Sequence, residues 1–240
     1  MRVVLVHGSG GNARSAWASV QPLAARFSLI APDRGGYPPG PLLERIDFER
    51  QATELAPVLE DGAHLVGHSY GGVIALLIAA RQPARVRSLT VSEPPAFALA
   101  RGNPEVERLV ERLDEHFTNG PRDPRAFAAG FLELVGSKAK VANELSPEVE
   151  QSIRATMAER PPWEAQIPVD ALAATSFPKL VISGAHHPAF DAVCDVLEER
   201  FGAERAVLPG AGHSIPRAAG YLERLEAFLD DSAGTEQLVR

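Results

Sequence analysis

Gly67-His68-Ser69-Tyr70-Gly71-Gly72 sets a hydroxyl between glycines, directly after the apolar run His64-Leu65-Val66 and directly before the apolar stretch 73–80. This is the G-x-S-x-G pattern in the context it needs, a strand turning sharply into a helix. Such a turn crowds backbone against backbone, which is why glycine is wanted on both sides of the serine. It also leaves the serine oxygen exposed near the positive end of the helix dipole, where developing negative charge is favoured. Ser69 therefore reads as a nucleophile for attack on a carbonyl. The alternative is a plain glycine-rich turn. A second glycine-rich segment, His7-Gly8-Ser9-Gly10-Gly11, follows the first apolar run, and Gly10 and Gly11 would let backbone approach a reacting group closely. Taken alone it is equally an anion-binding or merely tight loop.

The elements that must carry these segments are legible as short apolar runs at Val3-Val4-Leu5-Val6, Phe27-Ser28-Leu29-Ile30, His64-Leu65-Val66, Leu89-Thr90-Val91, Lys179-Leu180-Val181-Ile182 and Ala206-Val207-Leu208. Runs that are continuous rather than alternating suit strands covered on both faces. Helical stretches separate most of them, so the fold class is α/β, with a mostly parallel sheet of about six strands and right-handed crossovers. Chemistry in such a sheet gathers at the carboxyl ends of the strands. Residues 94–177 are too long for a structureless connection and carry helix starts of their own at Asn103-Pro104, Asp123-Pro124 and Ser146-Pro147. Val106, Leu109, Val110, Leu113 and Phe117 form one apolar stripe, and Gly120 and Gly136 are candidate stops for the first two helices. The expectation is a single domain over 1–240, its core at 1–93 and 178–230, with a helical cap at about 94–177 inserted before the penultimate strand. A last helix is expected over about 217–229, with a frayed tail at 231–240.

With these segments in order, the chain resembles the α/β-hydrolase superfamily over most of its length, from His7 to about Leu229. The resemblance implies an oxyanion hole built from the amides of Ser9 and Tyr70. It also implies a catalytic base, His213, in Gly210-Ala211-Gly212-His213, which is similar to the family's G-x-G-H segment. One departure stands out. Many relatives carry G-x-x-D-P after the penultimate strand, whereas this chain has Gly184-Ala185-His186-His187-Pro188, so His187 occupies the place of the acid. A neutral imidazole cannot supply the negative charge that orients and stabilises the base. Glu93, just past the preceding strand in Ser92-Glu93-Pro94-Pro95, is the substitute candidate, because haloalkane dehalogenases of the same superfamily place their acid at that strand end. Asp191 is a second candidate, although an acid in a first helical turn is favoured by the dipole alone. A triad lacking its acid is the third reading. Asp33-Arg34-Gly35-Gly36 resembles the family's D-x-R-G-H-G loop, which implies that Asp33 and Arg34 brace that loop rather than react.

The implied activity is hydrolysis of an ester-like bond (carboxylester, thioester or lactone) in a small molecule through an acyl-enzyme on Ser69. Phe117, Phe127, Phe131 and Trp163 would roof the pocket, and His68 and Trp163 are candidate substrate contacts. No cofactor is called for. Adjacent His186 and His187 point to opposite sides of an extended loop and lack companions at ligand spacing, so no metal is expected. A hydroxynitrile-lyase-type reaction uses the same Ser and His, and a catalytically impaired binding protein would fit the missing aspartate. Dehalogenase and epoxide hydrolase chemistry needs a carboxylate where this chain has Ser69. A net charge of -7, from 24 Lys+Arg against 31 Asp+Glu, opposes binding to nucleic acid or anionic membrane. The single cysteine, Cys194, reads as a buried helix residue. No secretory h-region or bilayer-length apolar run is evident, and the expectation is a cytoplasmic protein of undetermined oligomeric state.

Overall fold

The apolar runs form strands because both of their faces can be covered. In the computed structural model, which describes residues 1–238, they become β1 (Arg2–Val6), β2 (Ser28–Ile30), β3 (Ala63–His68), β4 (Val86–Ser92), β5 (Lys179–Ser183) and β6 (Glu204–Val207). All pair in parallel in the order β2-β1-β3-β4-β5-β6. The central strands β1, β3, β4 and β5 are buried along nearly their whole length, and the outer β2 and β6 are partly exposed.

Helices α1 (Ala13–Ala16), α2 (Phe48–Leu55) and α3 (Tyr70–Arg81) accompany the first strands. Ten residues of α3, Tyr70 to Ala79 in turn, are buried, as a helix that is apolar all round must be. Between β4 and β5 lie α4 (Pro104–Asn119), α5 (Pro124–Leu134), α6 (Pro147–Met157) and α7 (Val169–Ala173). The first three of these start where capping side chains precede proline. Asn103 accepts from the Glu105 amide at 2.9 Å, Asp123 from that of Ala126 at 2.8 Å, and Ser146 from that of Val149 at 3.3 Å. The stripe Val106, Leu109, Val110 and Leu113 is the buried face of α4. Helix α8 (Pro188–Phe201) follows β5 and contains Cys194, which is fully buried.

Helix α9 (Tyr221–Leu238) corrects the expected C-terminus at both ends. Residues Ile215–Arg217 make a single 3-10 turn, and Gly220, in the left-handed region at φ +82°, prevents α-helix from beginning before Tyr221. The helix continues through most of the tail expected to fray. Phe228 and Leu229 are buried, the Ser232 hydroxyl donates to the Phe228 carbonyl, and Arg26 holds Glu226 and Asp230. Residues 239–240 lie outside the described residues. Two apolar clusters flank the sheet. The larger joins α2, α3, α8 and the α4–α7 segment to one face, and the smaller sets Trp17, Leu23, Tyr221, Leu225 and Leu229 against the other. Among the described residues no helix is long and apolar enough to cross a membrane.

Candidate active site

Ser69 is the single residue between β3 and α3, and it sits at φ +53°, ψ −126°, a conformation that L-residues rarely adopt. Three backbone hydrogen bonds hold it there. Its amide donates to the Ser92 carbonyl at 2.9 Å, and its carbonyl accepts from Gly72 at 2.7 Å and Val73 at 3.3 Å. The flanking glycines are dictated by space. A Cβ on Gly71 would lie 2.2 Å from the Val6 carbonyl oxygen, and one on Gly67 2.5 Å from that of Gly71.

From this elbow a hydrogen-bonded chain runs through the site. His213 Nε2 lies 2.8 Å from Ser69 Oγ, and His213 Nδ1 lies 2.7 Å from Glu93 Oε2. Because the carboxylate can only accept, the proton belongs on Nδ1, which leaves the Nε2 lone pair for the serine hydroxyl. Glu93 reaches His213 from the residue after β4, at φ +44°, with its amide donating to the Ile182 carbonyl on β5. Its other oxygen accepts from the Gly184 amide at 2.8 Å and stands 3.1 Å from His186 Nδ1. Burial alone would raise the Glu93 carboxyl, but the contacts from His186 and His213 outweigh it and hold the group ionised, down at about 2. His213 is fixed by its surroundings. Its ring stacks on Phe190 with centroids 4.4 Å apart, its amide donates to the Gly136 carbonyl, and its own carbonyl accepts from His68 Nε2 at 2.8 Å.

The residue in the expected place of the acid, His187, and the second candidate, Asp191, do different work. His187 is the N-cap of α8, with its Nδ1 accepting from the Ala189 amide at 3.2 Å. It therefore performs one task an aspartate would perform at a helix N-terminus, and burial together with the neighbouring His186 lowers its affinity for a proton. Asp191 accepts from Ser183 Oγ at 2.6 Å and pairs with Arg205 at 3.1 Å.

The His7–Gly11 loop runs beside Ser69, since a Cβ on Gly8 would lie 2.9 Å from Ser69 Cβ. Tyr70 opens α3, so its amide belongs to the first turn, where no intrahelical acceptor exists. The loop is held from the segment after β4. Ser9 Oγ donates to Glu159 at 2.5 Å, and the Gly10 amide donates to Thr156 Oγ1 at 2.9 Å. Glu159 in turn pairs with fully buried Arg34 at 2.5 Å and accepts from Tyr37 at 2.7 Å, while Arg34 also donates to the Gly8 carbonyl. Arg34 thus braces the His7–Gly11 loop. Sequence reasoning passed over Glu159 and Thr156, because neither stands in a motif and each acquires its partner only through the fold, and it weighed His186 only as a metal ligand.

Ser69, His68 and His213 open onto a cavity of about 380 Å³, within the range usual for small-molecule sites. Phe127, Phe131, Leu132, Val135, Val141 and Ile153 make its lining largely apolar. A separate lobe of about 20 Å³ touches Ser9, Ser69, Tyr70 and His213 and is closed by Phe117, Trp163 and Phe190. The four aromatic side chains expected to roof the pocket are thus divided between the two, with Phe131 shared. His68 is half-buried, and desolvation, with His213 next, depresses it to about 3, so it is a neutral donor that anchors His213 as well as a wall of the cavity. Among the described residues one group of imidazole and carboxylate atoms converges within 4.8 Å, namely Glu93, His186 and His213. Glu93 and His213 are already hydrogen-bonded to each other, an arrangement suited to moving a proton.

Comparison with known proteins agrees with this architecture. A pimeloyl-[acyl-carrier protein] methyl ester esterase of Aeromonas salmonicida is 39% identical over 98 residues, which cover 40% of this chain and 39% of the relative. The chain spans less than half the length of the esterases it matches in this way. In three dimensions it superposes on NosK from Streptomyces actuosus with a TM-score of 0.67 at 21% identity, covering 97% of this chain and 98% of the other. A lipase-esterase related protein from Clostridium acetobutylicum gives a TM-score of 0.69 at 16% identity, covering 95% and 93%. The profile of the alpha/beta hydrolase family matches residues 3–229, and the chain belongs to that family.

Proposed function

We propose that the protein is a serine esterase acting on small carboxylic esters, with Ser69 as nucleophile, His213 as general base and acid, and Glu93 as the acid that orients His213. The observation that carries this reading is the unbroken run from Ser69 Oγ through His213 to Glu93, with separations of 2.8 and 2.7 Å. In this mechanism His213 Nε2 takes the hydroxyl proton as Ser69 Oγ attacks the ester carbonyl. The carbonyl oxygen becomes an oxyanion that accepts from the Ser9 and Tyr70 amides at the head of α3. His213 then protonates the leaving alkoxide, and water, deprotonated by the same nitrogen, releases the acid from Ser69. Glu93 stays ionised throughout and stabilises each imidazolium.

The two unequal spaces beside Ser69 suggest the form of the substrate. The larger, apolar cavity suits an acid or alcohol portion of several carbons, and the 20 Å³ lobe has room for about one or two non-hydrogen atoms. A methyl ester, the bond named for the related esterases, fits that asymmetry. The test is a matched series of methyl, ethyl and butyl esters of one aromatic acid. The reading expects kcat/KM to fall beyond ethyl and Ser69→Ala to be inactive on all of them. Equal rates along the series would remove the size argument, and turnover unaffected in Ser69→Ala would remove the nucleophile.

A further inference from the structure

Glu93 is gripped by two imidazoles rather than one, and the second lies outside the Ser-His-acid set. His186 Nδ1 stands 3.1 Å from Glu93 Oε1, while its Nε2 lies 3.1 Å from the Val135 carbonyl oxygen. Both neighbours are acceptors. A neutral imidazole carries one N–H and would turn a lone pair on one of them, whereas the doubly protonated ring has a proton for each. The Nδ1 contact is close but does not have the alignment of a directed hydrogen bond. The ring is also seated by construction. It stacks on Phe190 with centroids 6.0 Å apart, and it lies against Gly136, where a Cβ would come within 2.7 Å of His186 Cδ2. Glu93 and Ala185, the residue before His186, are two of the four non-glycine residues with positive φ among the described residues, so strained backbone brings the two groups together from both sides.

We infer that His186 is a positioning residue of the triad, an imidazolium that holds Glu93 from the side away from His213 and opposes the arrival of a second proton on His213 in the free enzyme. This rests on the Ser69–His213–Glu93 reading of the site. The groups facing His186 are Glu93 beyond β4, His213 beyond β6, and His187 and Asp191 on α8, the last already paired with Arg205 of β6. The end of α5 presents only backbone at Val135 and Gly136. Burial works against the charge on His186, but Glu93 beside it prevails and raises its affinity for a proton. Its ring centroid is 6.1 Å from that of His213, near enough for one positive charge to disfavour another. The consequence is a base that stays free, and an enzyme that stays active, to lower pH than the same triad without His186.

Two measurements test this, one of them independent of activity. Long-range ¹H–¹⁵N correlation spectra of the histidine rings, assigned by the signal lost in His186→Gln, should show both His186 nitrogens protonated from pH 5 to 7. A single neutral tautomer over that range would overturn the inference whether or not the protein is an esterase. In the kcat/KM–pH profile, His186→Gln should move the acid limb upward by about one pH unit, and His186→Lys, which keeps the charge, should restore it. A uniform fall at every pH with the limb unmoved would mean that His186 only packs, and would refute the role given to it. Thermal melts of both variants keep loss of fold apart from loss of positioning.

Discussion

Replacing Glu93 by glutamine tests the relocated acid with a change of one atom. Glu93 receives N–H groups on both oxygens, from Gly184 at 2.8 Å on Oε1 and from His213 at 2.7 Å on Oε2. A glutamine has one acceptor and one donor to set against these two donors. If its oxygen keeps the fixed Gly184 amide, its NH₂ faces His213 Nδ1, which can then only accept. The imidazole proton moves to Nε2, where it meets Ser69 Oγ and the ring can no longer act as a base. The alternative orientation leaves the Gly184 amide facing an NH₂ in a buried site. Either way the negative charge that stabilises the imidazolium is lost. The corresponding change in serine proteases lowers kcat by about 10⁴, equivalent to about 5.4 kcal/mol of transition-state stabilisation. Burst and steady-state kinetics on an activated short-chain ester, at a pH where wild-type activity is on its plateau, should show this loss in kcat with little change in KM. Circular dichroism and melting should show the fold retained. A loss below tenfold in a folded Glu93→Gln protein would remove Glu93 from the triad.

Glu159→Gln leaves Arg34 buried with no ionised partner, and should cost about 3–5 kcal/mol by urea denaturation; Arg34→Met combined with Glu159→Leu should recover part of that loss. If the glutamine oxygen stays with Arg34 and Tyr37, its NH₂ faces Ser9, whose hydroxyl loses its acceptor, and kinetic measurements on the Glu159 variant should then also show a lower kcat. Stability should depend on pH in two windows. His64, buried, and His68, half-buried, are held neutral by desolvation to about 4 and about 3, below the ordinary 6.5, so the unfolded chain binds more protons than the native one in between, and stability should fall as pH drops from about 6.5 toward 4. His64→Gln should flatten that slope by about 1 kcal/mol per pH unit, measured as urea midpoints. The depressed carboxyl of Glu93 contributes stability that is fully present above its ordinary 4.5 and lost as pH falls through about 2, and wild type should lose more than Glu93→Gln over that interval.

The features legible in the chain were those whose chemistry is local. Continuous apolar runs announced the central strands, since burial on both faces leaves no alternation to confuse them, whereas the partly exposed edge strand β6 begins earlier than its run, at Glu204. The elbow at Ser69 showed itself because its glycines answer a purely local crowding. The helix starts at Asn103, Asp123 and Ser146 were equally plain, because a cap is a matter of two or three successive residues. Glu93 could be proposed because adjacent parallel strands deliver their carboxyl ends to one place. The geometry that brings Glu93 to His213 depends on left-handed backbone at Glu93 itself, which no pattern announces. His187 was read as a vacancy in the triad, yet it serves as the cap of α8, a task that aspartate and a neutral imidazole can share. Arg34 and Glu159 lie 125 residues apart and meet only when the segment after β4 folds down on the oxyanion loop. The C-terminal helix outran its expected end because Arg26 and the body of the fold support it, and such support is tertiary.

The most direct test of the central claim, that Ser69 is an activated nucleophile, is intact-mass analysis after exposure to a serine-directed fluorophosphonate. The account predicts one adduct on wild type, none on Ser69→Ala, and markedly slower labelling of Glu93→Gln. Folded wild-type protein that takes up no adduct, or Ser69→Ala that labels as fast as wild type, would contradict it.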